Sequence, residues 1–145
     1  MNNFEKNYII NEVTINEYLS FKNIYLQLDN TIDFTKEKFI SVINENNKKN
    51  NFYKCIRLKS NNEIIGCGKI FFDIKLGNNK AYIDDIIIDK KYRNLGLGKC
   101  LINNLINIAK EQKCYLCLLS CKDELKVFYE KIGFEKKKTL MSYYL

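Results

Sequence analysis

The 145 residues predict a mixed α+β domain, a sheet flanked by helices. Three observations carry that prediction. Apolar residues between positions 52 and 89 follow strand spacing and are interrupted by the turn formers Ser60-Asn61-Asn62 and Gly77-Asn78-Asn79. Segments on either side of this block follow helical spacing instead. Between the most apolar run and a long amphipathic segment lies the glycine-bearing turn Lys91-Tyr92-Arg93-Asn94-Leu95-Gly96-Leu97-Gly98-Lys99.

Taken in order, residues 8–13 form a strand candidate, and Thr14-x-x-Glu17 gives a start resembling a capping box to a helix reaching about residue 28. Its apolar positions are Tyr18, Leu19, Phe21, Ile24, Tyr25 and Leu28. A second helix opens at Thr35-Lys36-Glu37-Lys38, with Phe39, Ile40, Val42 and Ile43 inward, and 44–51 reads as a polar loop. Strands at 52–59 and 63–74 form a hairpin; 80–89, with Ile83, Ile86, Ile87 and Ile88, suits a central strand covered on both faces. A third helix over 97–112 buries Leu97, Leu101, Leu105, Ile108 and Ala109. A buried central strand at 114–120, a fourth helix at 123–131 and, past the Gly133 stop, a last strand at 134–145 complete the expected order β-α-α-β-β-β-α-β-α-β. A single domain, 1–145, is expected from the length.

Composition excludes several classes of function. No apolar stretch approaches the ~20 residues that cross a bilayer, and Glu5 and Lys6 among asparagines do not make a signal sequence. A soluble, cytoplasmic protein with no membrane partner is expected. The net charge of +7 comes from 22 lysines scattered along the chain against two arginines, which is not the footprint of a nucleic-acid reader. Attraction of an anionic small molecule fits it better. Of the six cysteines, only Cys114-x-x-Cys117-x-x-x-Cys121 approaches ligand spacing, and it lies in an expected strand with no histidine anywhere in the chain. Buried free thiols and no metal are expected. Without histidine, any general base is Asp, Glu, Tyr, Lys or Cys, or a water they hold.

The 91–99 turn joins a strand to a helix N-terminus. Glycine permits positive φ and close approach, and the first helical turn offers unpaired N–H groups to a diphosphate. A P-loop would require Ser or Thr after Lys99, where Cys100 stands; a dinucleotide fold would require a third glycine and a later acid. Two readings of the turn are left, a pyrophosphate cradle or a surface turn ahead of a basic helix.

Asp84 and Asp85 interrupt the most apolar strand, and burying a carboxylate there costs several kcal/mol unless it is paired or used. In a regular strand the two face opposite sides, so at most one meets a substrate unless a bulge intervenes; alternatively the strand begins at Ile86 and both are solvated. Tyr129, in Val127-Phe128-Tyr129-Glu130-Lys131-Ile132-Gly133-Phe134, has a phenol able to protonate a departing thiolate, although a helix tyrosine also serves packing; Phe128, Ile132 and Phe134 read as core.

Arg-x-x-Gly-x-Gly at Arg93, Gly96 and Gly98 resembles the coenzyme A pyrophosphate loop of the GNAT acetyltransferases, and Phe128-Tyr129-x-Lys131-x-Gly133-Phe134 resembles their C-terminal motif. Together with Tyr82-Ile83-Asp84-Asp85-Ile86, Cys114-Tyr115 and the segment 28–39, these motifs are similar to the eukaryotic-type glucosamine 6-phosphate N-acetyltransferases. The resemblance implies a central, mostly antiparallel twisted sheet flanked by helices. It also implies a homodimer and transfer of acetyl from acetyl-CoA to the amine of an amino-sugar phosphate. It implies cofactor binding by Ile86, Ile87, Ile88, Arg93, Asn94, Leu95, Gly96, Leu97, Gly98, Lys99, Tyr129, Glu130 and Lys131. Substrate contacts are implied for Phe72, Asp73, Ile74, Lys75, Asp84, Asp85, Tyr115 and Leu116, and catalytic roles for Asp84, Asp85 and Tyr129.

Three positions depart from that pattern. Ser120 stands where the family has an acid, Leu125 where it has asparagine, and Tyr144 where it has an arginine that reaches the sugar phosphate from the partner subunit. No arginine follows Arg93, so phosphate recognition rests on lysines such as Lys75 or Lys122, or the acceptor is another amine such as a polyamine or peptide. A coenzyme A-binding protein without turnover is the remaining alternative.

Overall fold

A computed structural model describes residues 3–145. Five strands, β1 (Tyr8–Glu12), β2 (Phe52–Leu58), β3 (Ile64–Asp73), β4 (Lys80–Ile88) and β5 (Leu116–Leu118), lie side by side in chain order. The first four pair antiparallel, while β5, arriving after a helical crossover, joins β4 in parallel. The helices are α1 (Asn3–Asn7), α2 (Tyr18–Tyr25), α3 (Lys36–Lys48), α4 (Leu97–Glu111) and α5 (Lys126–Glu130).

Strand alternation distributes the apolar side chains between two cores. Ile56, Ile65, Ile70, Ala81 and Ile83 pack on one face beneath Leu97, Leu101, Ile102, Leu105 and Ala109 of α4. On the other face Tyr53, Cys55, Ile64, Cys67 and Ile87 meet Phe21 and Ile24 of α2 and Phe39 and Ile43 of α3. The central strands are thus covered on both sides, which is why they read as nearly continuous apolar runs.

The helix ends show how local signals are used or overridden. At α3, Thr35 accepts a hydrogen bond from the Lys38 N–H at 3.2 Å, a cap that contributes about 1 kcal/mol. The Thr14–Glu17 pair does form, with the Glu17 carboxylate accepting from the Thr14 N–H at 2.7 Å. The same carboxylate is paired with Arg57, which is only 2% exposed and also donates to Asn11 and to the Glu12 carbonyl. Glu17 is thereby tied to β2, and the helix begins after it, at Tyr18 rather than at Thr14. It stops at Tyr25, short of the expected residue 28, and Leu19, 70% exposed, lies outside the buried stripe.

Other expectations need correction. The polar segment from residue 44 is not a loop at first: α3 continues to Lys48, with Asn44 and Asn47 exposed and Asn46 half-buried, donating to the Val42 carbonyl at 2.8 Å. The strand expected at 114–120 is reduced to the three half-buried residues of β5. The fourth helix is a 3-10 turn, Asp123–Leu125, followed by the single turn α5. The last strand does not form, because residues 135–145 meet no strand edge within their own chain and stay exposed. α1 was not expected from the sequence.

Candidate active site

The site is organised by an irregularity in β4. Lys69 of β3 is opposite Asp84, and Cys67 is opposite Ile87, so Gly68 alone spans the interval filled by Asp85 and Ile86. That is a β-bulge, and Asp85 takes a left-handed conformation there, φ 51°. Its effect is a change of phase: Ala81 and Ile83 point into the α4 core before the bulge, and Ile86 and Ile88 pack against the same core after it. The inserted residue turns Asp85 toward the other face. Its Oδ2 accepts from the Tyr53 phenol at 2.9 Å and the Tyr25 phenol at 3.2 Å.

Gly68 permits this arrangement. A Cβ there would lie 2.5 Å from Ile86 Cδ1 and 3.2–3.3 Å from methyls of Leu105 and Leu101, so these side chains pack over the bulge with no room for a Cβ unless they move.

Asp84 is exposed, and its Oδ1 accepts the Asp85 N–H at 2.9 Å. The strand runs through both acids from Lys80 to Ile88, so the alternative in which it begins only at Ile86 does not hold. Burial pushes the Asp85 carboxyl above the usual carboxylate range and the Asp84 charge adds to the rise, against the pull of the two phenols and Lys69. Burial and the Asp85 charge drive both tyrosine phenols upward, so at neutral pH they are fixed as donors.

A second irregularity opens the sheet. β5 pairs with β4 only at Lys80, Ala81 and Tyr82, and from Ile83 to Ile88 no strand lies on that side of β4. The backbone groups of the 86–88 segment that point there, apart from the Ile88 carbonyl, are available to a ligand. The splay leads to the turn before α4. Arg93 donates from Nε to the Ile88 carbonyl at 3.0 Å, Asn94 (φ 63°) and Gly96 (φ 76°) are left-handed, and no side chain caps the helix. The first bond into the helix is from the Cys100 N–H to the Gly96 carbonyl, leaving the N–H groups of Leu97, Gly98 and Lys99 unpaired at its positive end.

α5 flanks this end of α4: Phe128 Cζ lies 3.3 Å from where a Gly98 Cβ would stand. Here the expectation is reversed, because Phe128 is 38% exposed and Tyr129 is the buried member of the pair, at 8%. The Tyr129 ring meets Phe128 and Phe134 edge-on, and its phenol makes no hydrogen bond to any described residue. Burial raises its pKa, with smaller contributions from Cys121 and Asp84, so it is a protonated donor at neutral pH. Glu130 and Lys131, at the helix end, are exposed, and Lys126 pairs with Glu130 at 3.5 Å.

The remaining expected residues gather at the other end of β4. Phe72 and Asp73 close β3 opposite Ala81 and Lys80, and Lys80 is level with Leu116 of β5. Ile74 and Lys75 follow in an exposed loop, where Lys75 is paired with Asp73 at 3.0 Å, and Tyr115 is exposed beside it. Ser120, Lys122 and Leu125 are exposed beyond β5. Tyr25, Tyr53 and Lys69 were not singled out from the sequence, because only the bulge brings the carboxylate to them. Lys69 lies 5.5 Å from the ring centroids of Tyr53 and Phe71 and is level with Tyr53 on one side and Asp84 on the other.

Of the cysteines, Cys55 and Cys67 are buried, with burial raising Cys55 to about 12 and Cys67 well above its ordinary value. Cys100, Cys114 and Cys117 are half-buried and Cys121 is exposed, so the expectation of buried thiols holds for two of the six. No group able to hold a metal occurs among the described residues, and none of their helices is long and apolar enough to cross a membrane.

Known proteins share this fold. The family model described as Acetyltransferase (GNAT) family matches residues 19–134. Glucosamine 6-phosphate N-acetyltransferase 1 of Dictyostelium discoideum is 37% identical over 118 residues, 77% of this chain and 74% of that one. The glucosamine 6-phosphate N-acetyltransferase of Arabidopsis thaliana is 33% identical over 92 residues, 61% of this chain and 62% of that one. Among solved structures, the Arabidopsis thaliana glucosamine-6-phosphate N-acetyltransferase superposes with a TM-score of 0.86 at 27% identity, covering 94% of this chain and 97% of that one. A Trypanosoma brucei acetyltransferase shares the fold with a TM-score of 0.87 at 22% identity, covering 95% and 99%. A sheet splayed beside an uncapped helix N-terminus, with acids on one side and a buried tyrosine on the other, thus comes with a match over most of the sequence, and the chain belongs to the acetyltransferase (GNAT) family.

Proposed function

We propose that this protein transfers acetyl from acetyl-CoA to the amine of glucosamine 6-phosphate, by direct attack in a ternary complex, giving N-acetylglucosamine 6-phosphate for UDP-GlcNAc synthesis in the cytoplasm. The similarity to glucosamine 6-phosphate N-acetyltransferases over about three-quarters of the chain carries this reading. The uncapped start of α4, with left-handed Gly96 and no atom within 4 Å of its missing Cβ, suits a pyrophosphate, and the open edge of β4 suits the extended arm of coenzyme A. Bound there, acetyl-CoA supplies the activated acyl group.

The residues then divide the work. Asp85, with Asp84 beside it, takes the ammonium proton of the acceptor directly or through water, releasing a neutral amine to attack. A backbone N–H in the 86–88 segment stabilises the negative charge that develops on the acyl oxygen. Tyr129, protonated at neutral pH, gives its proton to the departing sulfur as the C–S bond breaks, and the second proton lost by the new amide nitrogen restores the phenol through solvent. Lys75 and Tyr115, at the paired end of β4, are the groups closest in kind to what a sugar phosphate needs.

One observation favours another amine, such as a polyamine or a peptide. Arg57 is buried on Glu17, Arg93 donates to the Ile88 carbonyl, and the exposed Tyr144 stands where the resemblance to the family implies a phosphate-binding arginine. The segment around it, with Leu140, Met141, Tyr143 and Tyr144 uncovered, is the part we propose to be covered by a second copy in a homodimer.

Thiol release from acetyl-CoA on adding glucosamine 6-phosphate, with polyamine and peptide controls, tests the assignment. Turnover with the sugar alone supports it. Turnover only with a control amine replaces the acceptor, and none with any amine leaves a coenzyme A-binding protein.

A further inference from the structure

Asp85 has more hydrogen bonds than a solvent-facing carboxylate needs and fewer than a sealed one would have. Both phenols donate to Oδ2. Oδ1 makes no bond to a described residue and is not closed off from solvent. The two tyrosines come from different elements, Tyr25 from the last position of α2 and Tyr53 from β2. Their rings are held by one buried residue: Phe21 stacks on Tyr25 at 5.7 Å and meets Tyr53 edge-on at 5.3 Å. Phe34 packs edge-on against Tyr25 from the far side at 5.6 Å. Neither phenol can swing away without breaking this aromatic cluster, and the left-handed backbone of Asp85 holds the carboxylate against it.

We infer that Tyr25 and Tyr53 are positioning residues for Asp85: together they clamp Oδ2 in one orientation and leave Oδ1 as the single acceptor presented to the ammonium group of the acceptor substrate. This rests on the reading of Asp85 as the base. The clamp also governs when the base is ready. The ionisable or charged groups about Asp85 are Tyr25 of α2, Tyr53 of β2, Cys67 and Lys69 of β3, and Asp84 of β4. Burial and Asp84 favour the protonated acid, whereas the phenols and Lys69 favour the ionised form. Cys67 stays a thiol, its Sγ 4.0 Å from the Asp85 carbonyl. Losing one phenol therefore raises the pH at which Asp85 becomes a base.

Tyr25→Phe and Tyr53→Phe keep the rings and remove only the donors. We expect the acidic limb of the pH profile of kcat/KM for the amine to move up by about one unit in each, the size of one hydrogen bond to a charged group. KM for acetyl-CoA should stay unchanged. Tyr18→Phe, which removes a phenol bonded to the Phe34 carbonyl in the same core, serves as the structural control and should move nothing. If either clamp variant is too unstable for kinetics at the extremes of pH, the 13C carboxyl titration of Asp85, assigned by its loss in Asp85→Asn, reads the same shift in the folded fraction. Limbs within about 0.3 unit of wild type in both variants, with Asp85→Asn inactive, would overturn the clamp and leave the base assignment standing. An Asp85→Asn variant with wild-type turnover would instead remove the base, and the clamp with it.

Discussion

Two glycine-to-alanine substitutions separate a steric requirement at the bulge from a conformational one at the turn before α4. At Gly68 the added methyl would meet Ile86 Cδ1 at 2.5 Å and the Leu105 and Leu101 methyls of α4 at 3.2 and 3.3 Å. All three atoms are methyl ends of side chains, so relief comes from turning Ile86 and shifting the Leu101 and Leu105 side chains by a few tenths of an ångström within a packed core. Overpacking of this kind costs about 1–3 kcal/mol. A 145-residue chain has an unfolding entropy of about 0.3 kcal/mol per degree, so the melting temperature should fall by about 3–10 °C. At Gly96 nothing lies within 4 Å of the new methyl, and the cost is that of a left-handed alanine alone, about 1–2 kcal/mol. The kinetic consequences should differ in kind. Gly68→Ala disturbs the bulge that sets Asp85 and should lower kcat, whereas Gly96→Ala should raise KM for acetyl-CoA more than it lowers kcat. Thermal melts and steady-state kinetics on both variants provide the comparison. A Gly68→Ala protein that melts within a degree of wild type would refute the tight packing of the Ile86, Leu101 and Leu105 side chains over Gly68. Equal effects on kcat and KM in both variants would refute the division of labour between bulge and turn.

Tyr129→Phe should lower kcat while leaving acetyl-CoA binding intact; stopped-flow measurement of thiol release over about pH 6–9 checks it, and an unchanged profile removes the tyrosine as proton donor. Asp85 is held above the ordinary carboxylate range, so the stability it contributes is present in acid and is lost as pH rises through its folded pKa. Asp85→Asn should accordingly gain stability relative to wild type between about pH 4 and pH 7 in urea titrations, even as activity falls; a gain that shrinks with pH would contradict this. Arg57→Leu leaves the Glu17 carboxylate without its buried partner and should cost about 3 kcal/mol in the same titrations, against no effect if the pair is merely incidental. Iodoacetamide applied to the native protein should label Cys121 first and spare Cys55 and Cys67, whose thiols are both buried and raised in pKa; peptide mapping reads the order.

Much of the sheet could be read from the chain because its signals are local. Turn residues at 60–62 and 77–79 separate runs that bury alternate faces, and the structure pairs β2, β3 and β4 across those turns. The start of α4 was legible for the same reason: Gly96 and the apolar stripe beyond it act within one or two helical turns. The helix ends and the C-terminus were not. Whether Glu17 continues a helix or ends a turn depends on Arg57, forty positions away in sequence. The alternation of Leu140, Ser142 and Tyr144 makes a strand only if an edge lies beside it, and the segment pairs with no edge among the described residues.

The sequence by itself determined the chemical inventory: no histidine, two consecutive acids in an apolar strand, a glycine turn before a basic helix and Tyr129 in a motif further along the chain. Those elements depend on residue identity and short spacing, and they led to the family. The tertiary structure alone decided where the acids point. Regular pleating would have sent Asp84 and Asp85 to opposite faces; the bulge opposite Gly68 instead carries Asp85 to Tyr25 and Tyr53, from a helix and a strand distant in sequence. The same long-range packing buried Tyr129 and turned Phe128 outward, because α5 is a single turn whose orientation is set by what it lies against, and its own periodicity is too short to specify a face.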